Sequence, residues 1–234
     1  METDYDSFAE HYNAENERSL LNAYYARPAM LDLAGDVEGL DVLDIGCGAG
    51  PMAEQLVQRG ARVAGFDLSP AMLDIARRRL GDSADLRVAD LADPLPYDDD
   101  SFDVACASLV LHYLRDWEAP LQEVRRVLRP GGRLIAAVNH PLAFAMTENR
   151  YFGIEQYELK HDFAGREASL FMWHRTLEDI YRAVNGSGLR IASLHEPPVA
   201  DDTPEELLPS SGTRRFISFL FLVIENPADV EVRL

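Results

Sequence analysis

Three glycines at alternate positions, Gly46, Gly48 and Gly50, stand directly after the apolar run Val42-Leu43-Asp44-Ile45. Glycine permits a tight backbone turn and lets a ligand approach the main chain. A buried strand that ends this way and passes into a helix makes a nucleotide crevice at the carboxyl edge of a parallel sheet. Asp67 ends the next strand-like run, 21 residues after Gly46. A carboxylate there can accept hydrogen bonds from both hydroxyls of an adenosine ribose. Asp90 and Leu91 end a third run. The carboxylate can accept from an exocyclic amine, and the leucine can cover a ring face. Each position also has a plainer role, as a helix cap for Asp67 and a surface carboxylate for Asp90. Ser69 already suits the cap, which favours ribose for Asp67.

The glycine spacing narrows the nucleotide. A dinucleotide fingerprint is Gly-x-Gly-x-x-Gly. Here Pro51 stands where its third glycine belongs, and the pattern is Gly-x-Gly-x-Gly. That departure counts against a pyrophosphate cradle for NAD or FAD.

Three histidines are placed for proton transfer. His112 follows the fourth predicted strand and His140 the fifth, so both are candidate catalytic bases on the crevice side. His174 stands after Trp173, at the end of an aromatic stretch. Each also suits a buried histidine that caps a helix or fills a gap. No His-x-x-x-His or Glu-flanked pair occurs in a predicted helix, so no metal site is expected. Cys47 and Cys106 make no disulfide framework. Both fall in or beside core strands without a base beside them in sequence, so they read as small hydrophobes.

Strands and helices that would position these residues follow in strict alternation. Residues 4–34 read as helical, with a new helix opening at Pro28. Strands are expected at 41–45, 62–66, 85–88, 102–107 and 133–138, with helices at 51–59, 70–80 and 117–128. Ser69 and Pro70 open the second of these helices, and Gly60 closes the first. Such alternation demands a parallel sheet with helices on both faces. Residues 139–173 break the rhythm and read as an irregular substrate lid, rich in Phe, Tyr, Trp and Met. Thr176, with Asp179 at the capping-box position, starts a helix through Asn185. Two last strands, 190–194 and 215–224, read as a hairpin closing one sheet edge. One domain is expected over 1–234: a helical cap at 1–38, a cofactor-binding core at 39–138, the lid at 139–173, and a closing helix and strand pair at 174–234.

Bulk properties limit the partners. The chain carries 22 Lys and Arg against 40 Asp and Glu, a formal charge of −18. Such a surface repels nucleic-acid backbones and anionic lipid, so neither nucleic acid nor a membrane is an expected partner. The acidic start, Met1-Glu2-Thr3-Asp4-Tyr5-Asp6, lacks the apolar stretch of a signal peptide. No apolar run reaches transmembrane length. A cytoplasmic protein is expected.

Several segments together resemble one family. They are Val42 to Gly50, Gly65-Phe66-Asp67-Leu68-Ser69-Pro70-Ala71-Met72-Leu73, Ala89-Asp90-Leu91, Phe102-Asp103-Val104, and Glu123 to Gly132. The chain resembles class I S-adenosylmethionine-dependent methyltransferases, and is similar to the small bacterial ubiquinone/menaquinone type. The resemblance covers about residues 5–140 and weakens beyond. It implies an α/β, Rossmann-like doubly wound sheet of seven strands, mostly parallel, with the last strand antiparallel. It implies S-adenosylmethionine as cofactor, with Asp44 and the Gly46–Gly48 turn at its methionine end and the Ser108 backbone beside the amino group. Asp67 would take the ribose, Leu68 and Met72 would pack near the adenosine, and Asp90 with Leu91 would take adenine. Tyr5, Phe8 and Tyr12 resemble N-terminal aromatics that cover the cofactor. The aromatic stretch itself suggests a small acceptor, apolar or ring-containing, touched by Tyr113, Tyr151, Phe152, Trp173 and His174; core packing is the alternative reading of those aromatics. The alternatives are a protein that binds the cofactor without catalysis and a nicotinamide-dependent oxidoreductase.

Overall fold

The computed structural model describes residues 3–228. Residues 1–2, in the expected cap, and 229–234, at the end of the expected last unit, lie outside the described residues. Among the described residues nine strands form two sheets. The large one has the order β3-β2-β1-β4-β5-β9-β8. Its strands are β1 (Asp41–Ile45), β2 (Arg62–Asp67), β3 (Ala84–Val88), β4 (Phe102–Ser108), β5 (Leu128–Asn139), β8 (Arg190–His195) and β9 (Phe219–Glu225). β1 to β5 pair in parallel, and β9 runs antiparallel between β5 and β8. This is the expected seven-stranded arrangement. The closing pair lies at one sheet edge, with β8 outermost and β9 inside it, and residues 196–218 join them.

Helices cover both faces. α1 (Ala9–Asn16), α2 (Arg27–Ala34), α3 (Pro51–Gln58), α4 (Pro70–Leu80), α5 (Glu118–Val127), α6 (Pro141–Glu148) and α7 (Leu177–Gly186) follow in chain order. One apolar core lies between the sheet and α5 with α7, around Leu121, Val124, Ile180 and Val184. The other lies between the sheet and α2, α3 and α4, around Met30, Leu56 and Ala76. With both faces covered, the central strands are mostly apolar, with Asp44 the buried exception in β1. α4 starts where Ser69 accepts the Met72 N–H at 3.1 Å, and α7 starts on the Thr176–Asp179 capping box.

Residues 139–173 correct the expectation of an irregular lid. They form α6 and a hairpin, β6 (Glu155–Phe163) paired antiparallel with β7 (Arg166–His174), as a separate two-stranded sheet. The hairpin turns on Ala164 and Gly165, both at positive φ. Phe163, Leu170 and Met172 of the hairpin pack with Phe8. Among the described residues no helix is long and apolar enough to cross a membrane.

Candidate active site

The carboxyl ends of β1, β2, β4 and β5 meet along one edge, on either side of the point where the strand order reverses. Crevices in open α/β sheets form at that point. After β1 the chain turns through Gly46 at φ 62° and Gly48 at φ 54°. A Cβ on Gly46 would sit 2.5 Å from Cγ2 of Val110, so only glycine fits there. Gly48 donates its N–H to Asp67 Oδ2 at 2.8 Å, and Ser69 donates to Oδ1 at 2.9 Å. Asp67 thus ties the glycine turn to the start of α4. Each of its oxygens accepts one backbone hydrogen and retains capacity for another donor. Burial raises the Asp67 pKa in spite of these bonds.

A cavity of about 500 Å³ opens over this turn. Gly46, Gly48, Asp67, Leu68, Met72, Asp90, Leu91, Ser108 and Tyr12 all line it, so nine of the ten expected cofactor residues are brought together. Asp44, the tenth, faces a small adjoining cavity of about 60 Å³ with Arg27, Asn16 and Ser108. The Asp44 side chain is 1% exposed, and its Oδ2 has no hydrogen-bond partner. Burial first, and the charge of Asp67 second, push its pKa up to about 7. Arg27 donates to the Asn16 backbone oxygen at 3.1 Å and to its Oδ1 at 2.6 Å.

The Asp44 shift has a stability consequence. Its folded pKa lies above the ordinary value of 3.8, so the folded state holds the proton after the unfolded state has lost it. Its contribution is full below about pH 4 and is lost as pH rises through about 7, on the order of 4 kcal/mol at most. The ligand-free protein should lose this component between those limits, and Asp44→Asn should lack it. Urea unfolding of both forms across that range measures the difference. Parallel profiles would remove the assignment.

A second cavity, about 340 Å³, lies beside the first and is walled by aromatic side chains. The two share Tyr5, Tyr12, Leu109, Tyr113 and Trp173. Leu109 borders all three cavities and has φ 58°, a left-handed conformation that is rare for leucine. Tyr5 and Tyr113 share a hydrogen bond between their hydroxyls. The segment that carries Tyr5 is pinned at several points. Thr3 Oγ1 accepts the Phe171 N–H at 2.8 Å, and Phe8 stacks on Phe163 with ring centres 5.2 Å apart. Asp6 accepts from the Ser69 hydroxyl and from the Ala71 N–H, and Glu10 pairs with Arg78. Asp6 therefore reinforces the start of α4 from the far end of the chain.

The three histidines all line this second cavity, each with a different set of hydrogen-bond partners. His112 Nδ1 accepts the Asn139 N–H at 3.4 Å, so the proton sits on Nε2. Burial first, and the Arg175 charge second, push its pKa down to about 3. In that state the ring is neutral, carries its proton on Nε2 and lines the aromatic cavity. His140 Nδ1 accepts the Leu142 N–H at 3.1 Å and caps α6, and its Nε2 meets Glu196 Oε1 at 2.8 Å. With both ring nitrogens engaged, it offers no lone pair to a substrate. His174 lines the aromatic cavity and donates Nε2–H to the Tyr151 carbonyl at 2.6 Å. Tyr113 and Trp173 line the cavity as expected. Tyr151 and Phe152 do not. Tyr151 supports His174 and accepts the Leu177 N–H from behind, and Phe152 is 90% exposed. The buried thiols of Cys47 and Cys106 have pKa values pushed up by desolvation, as inert cysteines do.

Residues missed by sequence reasoning also line the cavities, namely Arg27, Asn139 and Arg175, and Asp6 braces the start of α4 beside them. Asn139 Nδ2 donates to the Tyr157 hydroxyl at 2.8 Å, joining β5 to the hairpin. Its position at the end of the fifth strand was a usable signal. Arg27, Asp6 and Arg175 act across the fold, and no local pattern marks them.

Comparison with known proteins follows the same division of the chain. The family model described as a methyltransferase domain matches residues 43–136. A solved S-adenosylmethionine-dependent methyltransferase from Mesorhizobium loti is 27% identical, with a TM-score of 0.67 over 85% of this chain and 96% of that one. The chain is similar to S-adenosylmethionine-dependent methyltransferases over the residues these matches cover. A demethylmenaquinone methyltransferase from Tropheryma whipplei is 35% identical over 127 residues, covering 54% of this chain and 53% of the relative. A ubiquinone biosynthesis O-methyltransferase from Xanthomonas oryzae pv. oryzae is 32% identical over 143 residues, covering 58% and 59%. The chain thus spans little more than half the length of these curated relatives.

The site fits the cofactor of this methyltransferase family. S-adenosylmethionine carries an ammonium, a carboxylate and a ribose diol. A buried carboxylate oxygen without a partner, Asp44 Oδ2, suits the first, and Arg27 on the same small cavity suits the second. The remaining acceptor capacity of Asp67 suits the third.

Proposed function

We propose that the protein transfers a methyl group from S-adenosylmethionine to a small acceptor, apolar or ring-bearing, seated in the aromatic cavity. The supporting observation is the wall common to the aromatic cavity and the cavity over the glycine turn, formed by Tyr5, Tyr12, Leu109, Tyr113 and Trp173. Relatives named as demethylmenaquinone and ubiquinone biosynthesis methyltransferases also favour a small-molecule acceptor.

On this reading Asp67 accepts from the ribose hydroxyls, and Leu68 and Met72 flank the adenosine. Asp90 and Leu91 take the adenine. Asp44 holds the ammonium, Arg27 the carboxylate, and the Ser108 backbone completes that end. The bound cofactor supplies a methyl group already activated by its sulfonium. The task left to the chain is alignment and the exclusion of water, and well-oriented intramolecular models gain about 7–11 kcal/mol in this way. Tyr5, Tyr12, Leu109 and Tyr113 close the junction where that alignment occurs.

Calorimetry separates this reading from a nicotinamide enzyme. S-adenosylhomocysteine should bind and NAD should not. Arg27→Met should bind S-adenosylhomocysteine about tenfold less tightly, for the lost charged donor. Labelled methyl donor, incubated with a panel of phenols, amines and activated carbon acids, should label at least one. Binding without turnover across the panel would replace transfer by a binding role.

A further inference from the structure

We propose that the acceptor is an aromatic anion, an aryl carboxylate or a phenolate, whose charge meets the Arg175 guanidinium and the Nε2–H of His112. This rests on the aromatic cavity being the acceptor site. Arg175 follows β7 and lines both that cavity and another of about 500 Å³ that Asp116, Glu118 and Asp179 also line, yet is only 5% exposed. Among the described residues it forms no ion pair, the nearest carboxylates being beyond 4.0 Å. One of its terminal nitrogens donates to the Leu114 and Arg115 carbonyls at 2.7 and 2.9 Å, and its carbon centre lies 4.1 Å from the Trp117 ring centre. Its Nε is buried without a partner.

A buried cation with only neutral partners is costly. Carboxylates are not scarce in a chain with 40 Asp and Glu against 22 Lys and Arg. Asp179 and Asp116 are the acidic groups whose charge reaches Arg175. Asp179 is committed to the α7 capping box, where its Oδ2 accepts from Thr176. Arg175 keeps its charge near neutrality, with a pKa lowered only to about 10 by burial. His112 adds a second donor, because its Nδ1 is taken by Asn139 and the proton is fixed on Nε2. Around these two donors the wall is aromatic: Phe144, Tyr157, Tyr113 and Trp173. A planar ring bearing a negative charge satisfies both parts of the surface.

Calorimetry with the full chain and saturating S-adenosylhomocysteine tests this with two matched pairs. 2-Naphthoate against 2-naphthamide reads the carboxylate. 4-Nitrophenol against 4-nitroanisole reads the phenolate, whose visible absorption also reports the ionised form. At least one anion should bind about tenfold or more tightly than its neutral partner. Arg175→Met should remove that preference and change neutral-ligand affinity less than about twofold, while Arg175→Lys should keep most of it. His112→Phe should cause a smaller loss of the same kind. Unchanged S-adenosylhomocysteine binding reports that each variant is folded. If Arg175→Met fails to fold, the wild-type ratios and Arg175→Lys still decide. Equal binding of anion and neutral partner, or equal loss of both in Arg175→Met, overturns the proposal and leaves the acceptor site standing. If S-adenosylhomocysteine binds and none of the four ligands does, the acceptor-site reading fails with it.

Discussion

Asp67→Ala should weaken S-adenosylhomocysteine binding by about 10- to 150-fold and lower stability by a smaller amount. The affinity figure corresponds to about 1.5–3 kcal/mol for the loss of a charged acceptor. Two effects on stability oppose each other. Truncation strands the Gly48 and Ser69 N–H groups, which donate to the carboxylate at 2.8 and 2.9 Å. It also removes a buried charge whose pKa burial has raised, and this relieves a desolvation cost. Binding has no such offset, because the ribose hydroxyls gain nothing in return. Titration calorimetry and denaturant unfolding on one preparation measure the two quantities. A folded variant with wild-type affinity would exclude Asp67 from the ribose site.

Gly46→Ala has the second large effect, and here stability leads. A non-glycine residue at φ 62° costs about 1–2 kcal/mol, and forcing a methyl group into a filled space costs about 1–3 kcal/mol more. The filled space is specific, with Val110 Cγ2 at 2.5 Å and Val110 Cβ at 3.0 Å from the added carbon. Adding Val110→Ala should restore the steric share and leave the backbone share. Gly48 provides a contrast. It is also at positive φ but has nothing within 4 Å of an added Cβ, so Gly48→Ala should show the backbone share alone. If Gly46→Ala and Gly48→Ala destabilise equally, close packing of Val110 against the turn is not what selects glycine at 46.

The strands and the helix caps were legible because their signals are local. Ser69 with Pro70 and Thr176 with Asp179 are read within four residues, and both caps are present. The alternation of apolar runs with helical segments was enough for the sheet, since a parallel sheet must bury both faces. The hairpin of residues 155–174 was not legible. Its turn uses Ala164 at φ 50° before Gly165, where a sequence reader looks for Asn-Gly or Asp-Gly. The strain is offset in part by Asp162, whose Oδ1 accepts the Gly165 N–H at 2.6 Å. The histidine roles were hidden for another reason. Proximity to a strand end places a ring near the crevice, but its hydrogen-bond partners decide which nitrogen is free. Those partners, Asn139 for His112, Glu196 for His140 and Tyr151 for His174, come from other elements.

On the proposed reading, the wall common to the two cavities links their occupancy. Tyr5, Tyr12, Leu109, Tyr113 and Trp173 must be ordered for either ligand to be enclosed. A ligand in either cavity contacts these same side chains, so a shift it makes in them changes the surface the other ligand meets. Such coupling is reciprocal by thermodynamic necessity, so whatever the cofactor adds to acceptor affinity the acceptor returns in equal measure. The pinned segment from Thr3 to Glu10 is then a link between two equilibria as well as a cover.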